Sequence, residues 1–301
     1  MTTIAPPPPP PSAEPAPPAL TPGGRTTLRA IIVILAGVLV AGTVLSLGVT
    51  AWGVSALRVI ADAKSLPKDM KSLIVDIGDI PAAVRLTTDR AATEPRVSMR
   101  ILNAPRGGDQ TLVVADEAGT TRVTVNGDES RFMDWGGRAG ELTVTLPPEL
   151  ARRLSVTVQQ DDGVLLAQAD VDELVARNTD GAVLLSGSAN RMDIRTQDGS
   201  IFAREPISVT ESFVAQVDDG EVSVDFKDAA PRKVDVVSAD GDIAISLPGQ
   251  GPYLVRASAD SPEIRVPETN DPARAVSKVT LRTDDGNVAV STLGRHPFSH
   301  R

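Results

Sequence analysis

The chain has no cysteine, and its only two histidines, His296 and His300, lie among the last six residues. The lack of cysteine excludes disulfide frameworks, thiolate metal sites and cysteine nucleophiles. Because chain ends are usually solvated, the two histidines leave no candidate for a Ser-His-Asp triad or a multi-histidine zinc site in the body of the chain. No cofactor is expected.

Aromatic residues are also scarce, at 3% of 301 residues, and the net charge is −9. Few aromatic side chains disfavour a cofactor pocket or a surface that stacks bases. An acidic chain is a poor nucleic-acid binder, because phosphate backbones attract Lys and Arg. The charge is uneven, since residues 1–71 carry a net +3 and residues 72–301 therefore carry −12.

The N-terminal part of the chain is divided by composition. Residues 1–29 form a proline-rich segment, with ten prolines in the first 24 positions, and a disordered tail is predicted. Residues 30–57 contain no charge over 28 positions, which is long enough for a single transmembrane helix. Residues 58–71 are expected to be a short basic stalk.

Everything beyond residue 71 has strand-like alternation. The segments of residues 72–150 are irregularly spaced, and a β-rich head or cap is predicted there. Residues 151–292 contain a repeat, and residues 293–301 are expected to be a tail.

The repeat is an alternating run, an Asp-Gly turn and a second alternating run. The turns are centred on Gly163, 181, 199, 220 and 241, on Pro262 and on Gly286, at spacings of 18 to 24 residues. Positions −7, −5, +2 and +4 from the turn residue are apolar in every unit. This pattern predicts about seven units of roughly 20 residues, each with one face inward.

Two all-β folds fit these columns. In a parallel β-solenoid each unit is one coil and Asp-Gly is a corner, whereas in an antiparallel hairpin stack Asp-Gly is a type I′ turn. The near-constant unit length favours the solenoid. With the coils in sequence order, Ile243 is expected to lie among Val222, Ile264 and their neighbours.

The units also resemble a known family. Three stretches carry the resemblance: "LSVTVQQDDGVLLA", "KVDVVSADGDIAISLPGQGPYLVRASADSPEIRVP" and "KVTLRTDDGNVAVS". They are similar to the bacterial putative-adhesin domain of unknown function, over residues 154–291 and more loosely over 72–153. The resemblance implies a β-solenoid beyond a membrane anchor and supplies no catalytic residues.

Membrane orientation receives conflicting signals. Arg25 and Arg29 precede the span, whereas Arg58, Lys64, Lys68 and Lys71 follow it, so the positive-inside rule alone favours a cytoplasmic C-terminal side. The family resemblance implies the opposite. The expected topology has the N-terminus in the cytoplasm and the β domain outside it.

Acidic residues precede most of the turns and would line one edge of a solenoid. Carboxylates in a stacked row repel one another, and a hard cation such as Ca²⁺ would relieve that repulsion. The alternative is that each Asp only stabilises its own turn. The candidate metal edge is formed by Asp162, Asp180, Asp198, Asp219, Asp240 and Asp285.

A second candidate site is the outward column at position +3. Its first three members are the bulky apolar residues Leu166, Leu184 and Phe202, whereas later units have smaller or polar ones. Exposed apolar side chains in a row indicate a contact surface. Its occupant is the 72–150 region folded back, a partner protein or a second copy of the chain.

Three functions remain open. The leading hypothesis is a non-enzymatic, single-pass envelope protein whose β domain is a scaffold or adhesin-like surface for an envelope protein or glycan. The alternative is a sensory membrane protein that signals through the proline-rich tail. A glycan-active enzyme is a weaker third hypothesis, for which Asp193, Asp235 and Arg256 share an outward column.

Overall fold

The computed structural model describes residues 58–103, 110–126 and 140–294. The predicted tail 1–29, the predicted span 30–57 and the chain end from residue 295 lie outside the described residues. In the described ranges, no helix is both long and apolar enough to cross a membrane.

Within the described residues the fold is all-β, with one short helix α1 (Pro148–Ala151) between β7 and β8. The strands are β1 (Arg58–Ser65), β2 (Ser72–Gly78), β3 (Ala82–Thr88), β4 (Arg96–Asn103), β5 (Thr111–Glu117), β6 (Thr120–Asn126), β7 (Gly140–Leu146), β8 (Ser155–Ala203), β9 (Ser208–Asp219), β10 (Val222–Asp225), β11 (Lys233–Asp240), β12 (Ile243–Leu247), β13 (Tyr253–Ser258), β14 (Glu263–Arg265), β15 (Ser277–Asp285) and β16 (Val288–Thr292). β8 is long because it includes the corners at Gly163, Gly181 and Gly199 and so spans several coils.

Strand pairing in the repeat is parallel. β9 pairs with β8 and β11, and β10 pairs with β8 and β12, all in parallel. An antiparallel hairpin stack is therefore excluded, and the predicted stack of parallel coils is confirmed. We name each coil by its corner residue, as in the Gly220 coil.

Four strands of the region that was predicted to be a head also join the parallel stack. β2 and β3 pair with the first turn of β8, and on their other sides they pair in parallel with β6 and β7. Antiparallel strands follow at this end, where β5 pairs with β6 and β4 links β7 to β1. Residues 58–65, within the predicted stalk, form β1 in this sheet.

The interior of the stack is apolar, as the columns predict. Val222 and Ile243 are at most 1% exposed, and Phe213 meets Phe226 edge to face with ring centroids 5.3 Å apart. Side chains at the same repeat position come from strands about 4.8 Å apart, so each coil covers the apolar side of the next.

The expectation that the coils stack in sequence order is wrong at the C-terminal end. β16 lies between β12 and β14, and β15 lies between β11 and β13. Ile243 is therefore opposite Val222 and Val288, and Ile264 pairs with Val290 instead. The last repeat of the chain is inserted before the Pro262 coil.

Backbone sterics keep the Pro262 corner out of the glycine stack. A Cβ on Gly286 would lie 2.3 Å from the carbonyl oxygen of Gly241, so a residue that stacks on that corner in the same register has to be glycine. Ser261 and Pro262 both have a Cβ and do not satisfy this requirement. The Pro262 coil lies on the Gly286 coil with its post-corner strand shifted by two residues, since Glu263 pairs with Ala289, and its inward residues Val255 and Ile264 are only partly buried.

Candidate functional site

The Asp-Gly corner recurs because successive corners stack backbone on backbone. Gly181 and Gly220 have φ of +129° and +145°, which L side chains rarely adopt. A Cβ on either residue would lie 1.9 Å from the carbonyl oxygen of the preceding corner glycine. Glycine is therefore required by close packing as well as by the local backbone conformation.

The corner brings the predicted acidic edge together as one row. Asp219 is the Cα partner of both Asp198 and Asp240, and Asp240 is also the partner of Asp285. All six predicted members are exposed. Their strands are about 4.8 Å apart, so each carboxylate has like-charged neighbours on the adjacent coils.

Desolvation, together with repulsion between neighbouring carboxylates, raises the pKa of two members of the row. Partial desolvation raises the pKa of Asp162, and the charges of Asp180, Asp161 and Asp79 raise it further. Desolvation and the charges of Asp240 and Asp198 raise the pKa of Asp219 in the same way. Among the described residues, no group of three or more His, Cys, Asp or Glu side chains has the arrangement of a metal site.

The predicted contact row lies on the outer face of the strands after the corner. Leu166, Leu184 and Phe202 are all half-buried. The row is flanked on one side by Arg85, the Cα partner of Leu166, and on the other by Ser223, the Cα partner of Phe202.

The flank at Arg85 is fixed by polar contacts. The Arg85 guanidinium donates to Glu141 Oε1 at 3.2 Å and to Gln168 Oε1 at 3.3 Å. Among the described residues, the large apolar residues that are well exposed are Val276 and Leu293, whose exposed fractions are 50% and 36%. The row is therefore a shallow apolar strip within a polar face and not a protruding patch.

The outward charges considered for a glycan-active enzyme do not form a close acid pair. Asp193 and Asp235 are both Cα partners of Val214, so they lie two coils apart. Asp193 accepts from Arg195 at 3.2 Å and Asp235 from Lys233 at 2.9 Å, each on its own strand. These contacts are surface ion pairs between alternate residues of a strand.

A further polar ladder runs along a different face of the coils. Ser188 Oγ donates to Asp170 Oδ1 at 2.7 Å, and Asn190 Nδ2 donates to Asp172 Oδ1 at 2.6 Å. The ladder continues where Thr210 Oγ1 donates to Asn190 Oδ1 at 2.5 Å. These side chains bond to one another from coil to coil and thereby reinforce the stacking.

Sequence reasoning missed an interior row at position −3 from the corner glycine. Alternation from positions −7 and −5 places this position inward, so the signal was present, but its residues are mostly polar. The row in the structure is buried and comprises Gln160, Asn178, Thr196, Val217, Ser238 and Thr283.

Comparisons with known proteins agree with the repeat. The family model described as Toastrack DUF4097 matches residues 151–291. The chain has no match among curated proteins.

Several solved structures are similar at low identity. A putative adhesin from Parabacteroides merdae has 10% identity and a TM-score of 0.41, covering 77% of this chain and 96% of that one. A putative adhesin from Bacteroides fragilis has 11% identity and a TM-score of 0.38, covering 78% and 97%. A putative cell adhesion protein from Clostridium sporogenes has 8% identity and a TM-score of 0.32, covering 78% and 100%.

The family match covers the parallel coils from α1 to β16, and it confirms the resemblance that the repeat units carry. Residues 151–291 of the chain therefore form a Toastrack DUF4097 domain.

Proposed function

We propose that the chain is a non-enzymatic, single-pass envelope protein whose coil stack is an adhesin-like interaction surface outside the cytoplasm. The observation that carries this proposal is the strip of Leu166, Leu184 and Phe202, which lie at the same position of three consecutive corners. Parallel coils hold such side chains at a fixed spacing of about 4.8 Å, so a partner meets a rigid, preformed apolar strip.

The apolar strip suits a partner that is an envelope protein or a glycan. The strip offers apolar contact area at little conformational cost, because the side chains are already packed between neighbours. The polar groups of Arg85 and Ser223 at its two ends provide a hydrogen-bonding rim. The acidic corner row repels polyanions, which argues against nucleic acid as the partner.

Membrane anchorage is the second part of the proposal. Residues 30–57 are uncharged over 28 positions, and the first described strand begins at Arg58 directly after them. A helix of about 20 residues crosses the hydrocarbon core. The sheet would therefore begin at the membrane surface, with residues 1–29 on the cytoplasmic side.

The absence of cysteine from the chain makes both parts testable with single-cysteine variants of the full-length protein. In intact cells, with any outer barrier permeabilised, a membrane-impermeant maleimide should label Ala244→Cys and leave Ser12→Cys unlabelled. Labelling of Ser12→Cys alone would reverse the topology.

The contact strip is tested by attaching a photoactivatable crosslinker to Leu184→Cys in the same cells. Ala244→Cys is the matched control, because it has the same corner position three coils further along. The proposal expects one discrete crosslinked envelope component from position 184, none from position 244, and loss of the adduct when Phe202→Lys is added. Equal crosslinking at the two positions, or none at 184, would refute the strip as the contact surface.

A further inference from the structure

The row at position −3 from the corner glycine is polar and lies inside the stack, with no role in the proposed contact surface. Gln160, Asn178 and Thr196 are 3%, 7% and 5% exposed and occupy three consecutive coils. Val217 follows on the next coil and is 1% exposed. The row thus has an N-terminal polar half that ends at an apolar residue.

The C-terminal half of the row has direct protein partners. Ser238 Oγ donates to the carbonyl of Gly220 at 3.4 Å. Thr283 Oγ1 lies 3.0 Å from the carbonyl of Gly241 and 3.2 Å from that of Asp285. At this position a hydroxyl therefore reaches the corner carbonyl of the preceding coil.

The N-terminal half has no such partners. Both amide atoms of Gln160, both amide atoms of Asn178 and the hydroxyl of Thr196 are buried without a hydrogen bond to any described residue. Native proteins rarely leave buried polar atoms unpaired, and five such atoms in adjacent coils require an explanation.

Direct pairing within the row is disfavoured by its geometry. Adjacent coils are about 4.8 Å apart, whereas a hydrogen bond joins atoms at about 2.7–3.2 Å. Stacked amides bridge that gap when identical side chains lie in line. Here Gln, Asn and Thr differ in length, so the row is not a ladder of identical amides.

One water molecule spans the remaining distance, since two hydrogen bonds of about 2.8 Å bridge groups that are about 4.8 Å apart. A metal ion is a poorer match, because the row supplies neutral oxygens only and the corner carboxylates Asp162 and Asp180 point outward. We propose that a file of ordered water molecules is bound inside the corner between Gln160 and Thr196. These waters satisfy the two amides and the hydroxyl, and the file ends at Val217.

The direct test uses the full-length chain with ¹⁵N-labelled Asn and Gln side-chain amides. Magnetisation transfer from water should reach the Asn178 and Gln160 amide protons, and the Asn178 signals should be assigned by their loss in Asn178→Leu. Buried amides that exchange no magnetisation with water would overturn the proposal.

A pair of isosteric variants tests the same site through stability. Thr196→Val removes a hydroxyl from the proposed water, and Thr283→Val removes one with direct protein partners. Both should lower the urea midpoint of the full-length chain. A raised midpoint for Thr196→Val, with a lowered one for Thr283→Val, would show that the Thr196 hydroxyl binds no water.

Discussion

Replacing Gly241 with alanine tests the glycine ladder at the centre of the coil stack. The new Cβ would lie 2.0 Å from the Gly220 carbonyl oxygen, whereas real Cβ contacts are essentially never under 3.0 Å. The Gly241 coil must therefore move by roughly 1 Å away from the Gly220 coil. That movement stretches the bonds from Gly220 N to the Asp240 carbonyl, 2.9 Å, and from Val222 N to the Asp242 carbonyl, 3.0 Å.

The expected cost follows from two contributions. A side chain at positive φ costs about 1–2 kcal/mol, and each weakened backbone hydrogen bond costs about 1 kcal/mol. Gly241→Ala should therefore lower the free energy of unfolding by about 3–4 kcal/mol, a large share of the roughly 5–15 kcal/mol typical of a domain. Urea unfolding followed by far-UV circular dichroism measures this change.

Gly78→Ala is the matched control for the backbone contribution. Gly78 also has positive φ, +56°, but a Cβ there would meet no atom within 4 Å. The free energy of unfolding of this variant should fall by only about 1–2 kcal/mol. Equal losses for the two variants would refute close stacking of the corners.

Three further predictions concern charge, the core and the repeat. Because the folded-state pKa of Asp219 is raised above its unfolded value, its carboxylate destabilises the fold at neutral pH, and Asp219→Asn should be more stable than wild type at pH 7. That advantage should disappear as pH falls through the folded pKa to about 3.8, and thermal unfolding across this pH range measures it. Ile243→Asp buries a charge beside Val222, so its free energy of unfolding should fall by about 4 kcal/mol or more. The outward variant Ala244→Asp should stay within about 1 kcal/mol of wild type when both are measured by urea unfolding. Deleting residues 220–240 removes one coil, and the shortened chain should still fold cooperatively because each coil contacts only its neighbours. Unfolding of the shortened chain without cooperativity would contradict this prediction.

The sequence predicts the inward columns and the parallel stack because each rests on local repetition. The alternation around Gly220 and Gly241 places Val222 and Ile243 inside whatever the order of the coils. The alternation of inward and outward side chains is the same in a hairpin stack, so alternation alone leaves that alternative open. The near-constant unit length favoured the parallel coils, and this choice was correct.

The order of the last two coils could not be read from the same columns. A column shows that Ile264 points inward but not which coil lies beside it. The missing glycine at Ser261-Pro262 was the available signal, and its meaning depends on the carbonyl of Gly241, which only the stacked backbone reveals. The residues at position −3 were overlooked for a related reason, since Gln160 and Asn178 are polar and the search for the core followed apolar residues.

The candidate sites were predictable to different degrees. The Asp198, Asp219 and Asp240 carboxylates do form one row, because they share a position in the repeat. The half-buried state of Leu184 was not predictable, since it depends on outward neighbours from adjacent coils that cover its flanks.

Crosslinking between three outward positions tests the central claim, that parallel coils stack with the last repeat inserted before the Pro262 coil. Arg282 is the Cα partner of both Val237 and Ser258, so Val237 and Ser258 lie two coils apart. In the full-length, otherwise cysteine-free chain, oxidation should join Val237→Cys to Arg282→Cys and Ser258→Cys to Arg282→Cys, because neighbouring coils about 4.8 Å apart lie within the Cα range of a disulfide. The pair Val237→Cys and Ser258→Cys, about 9.6 Å apart, should stay reduced. A disulfide between positions 237 and 258, with none between 237 and 282, would contradict this arrangement.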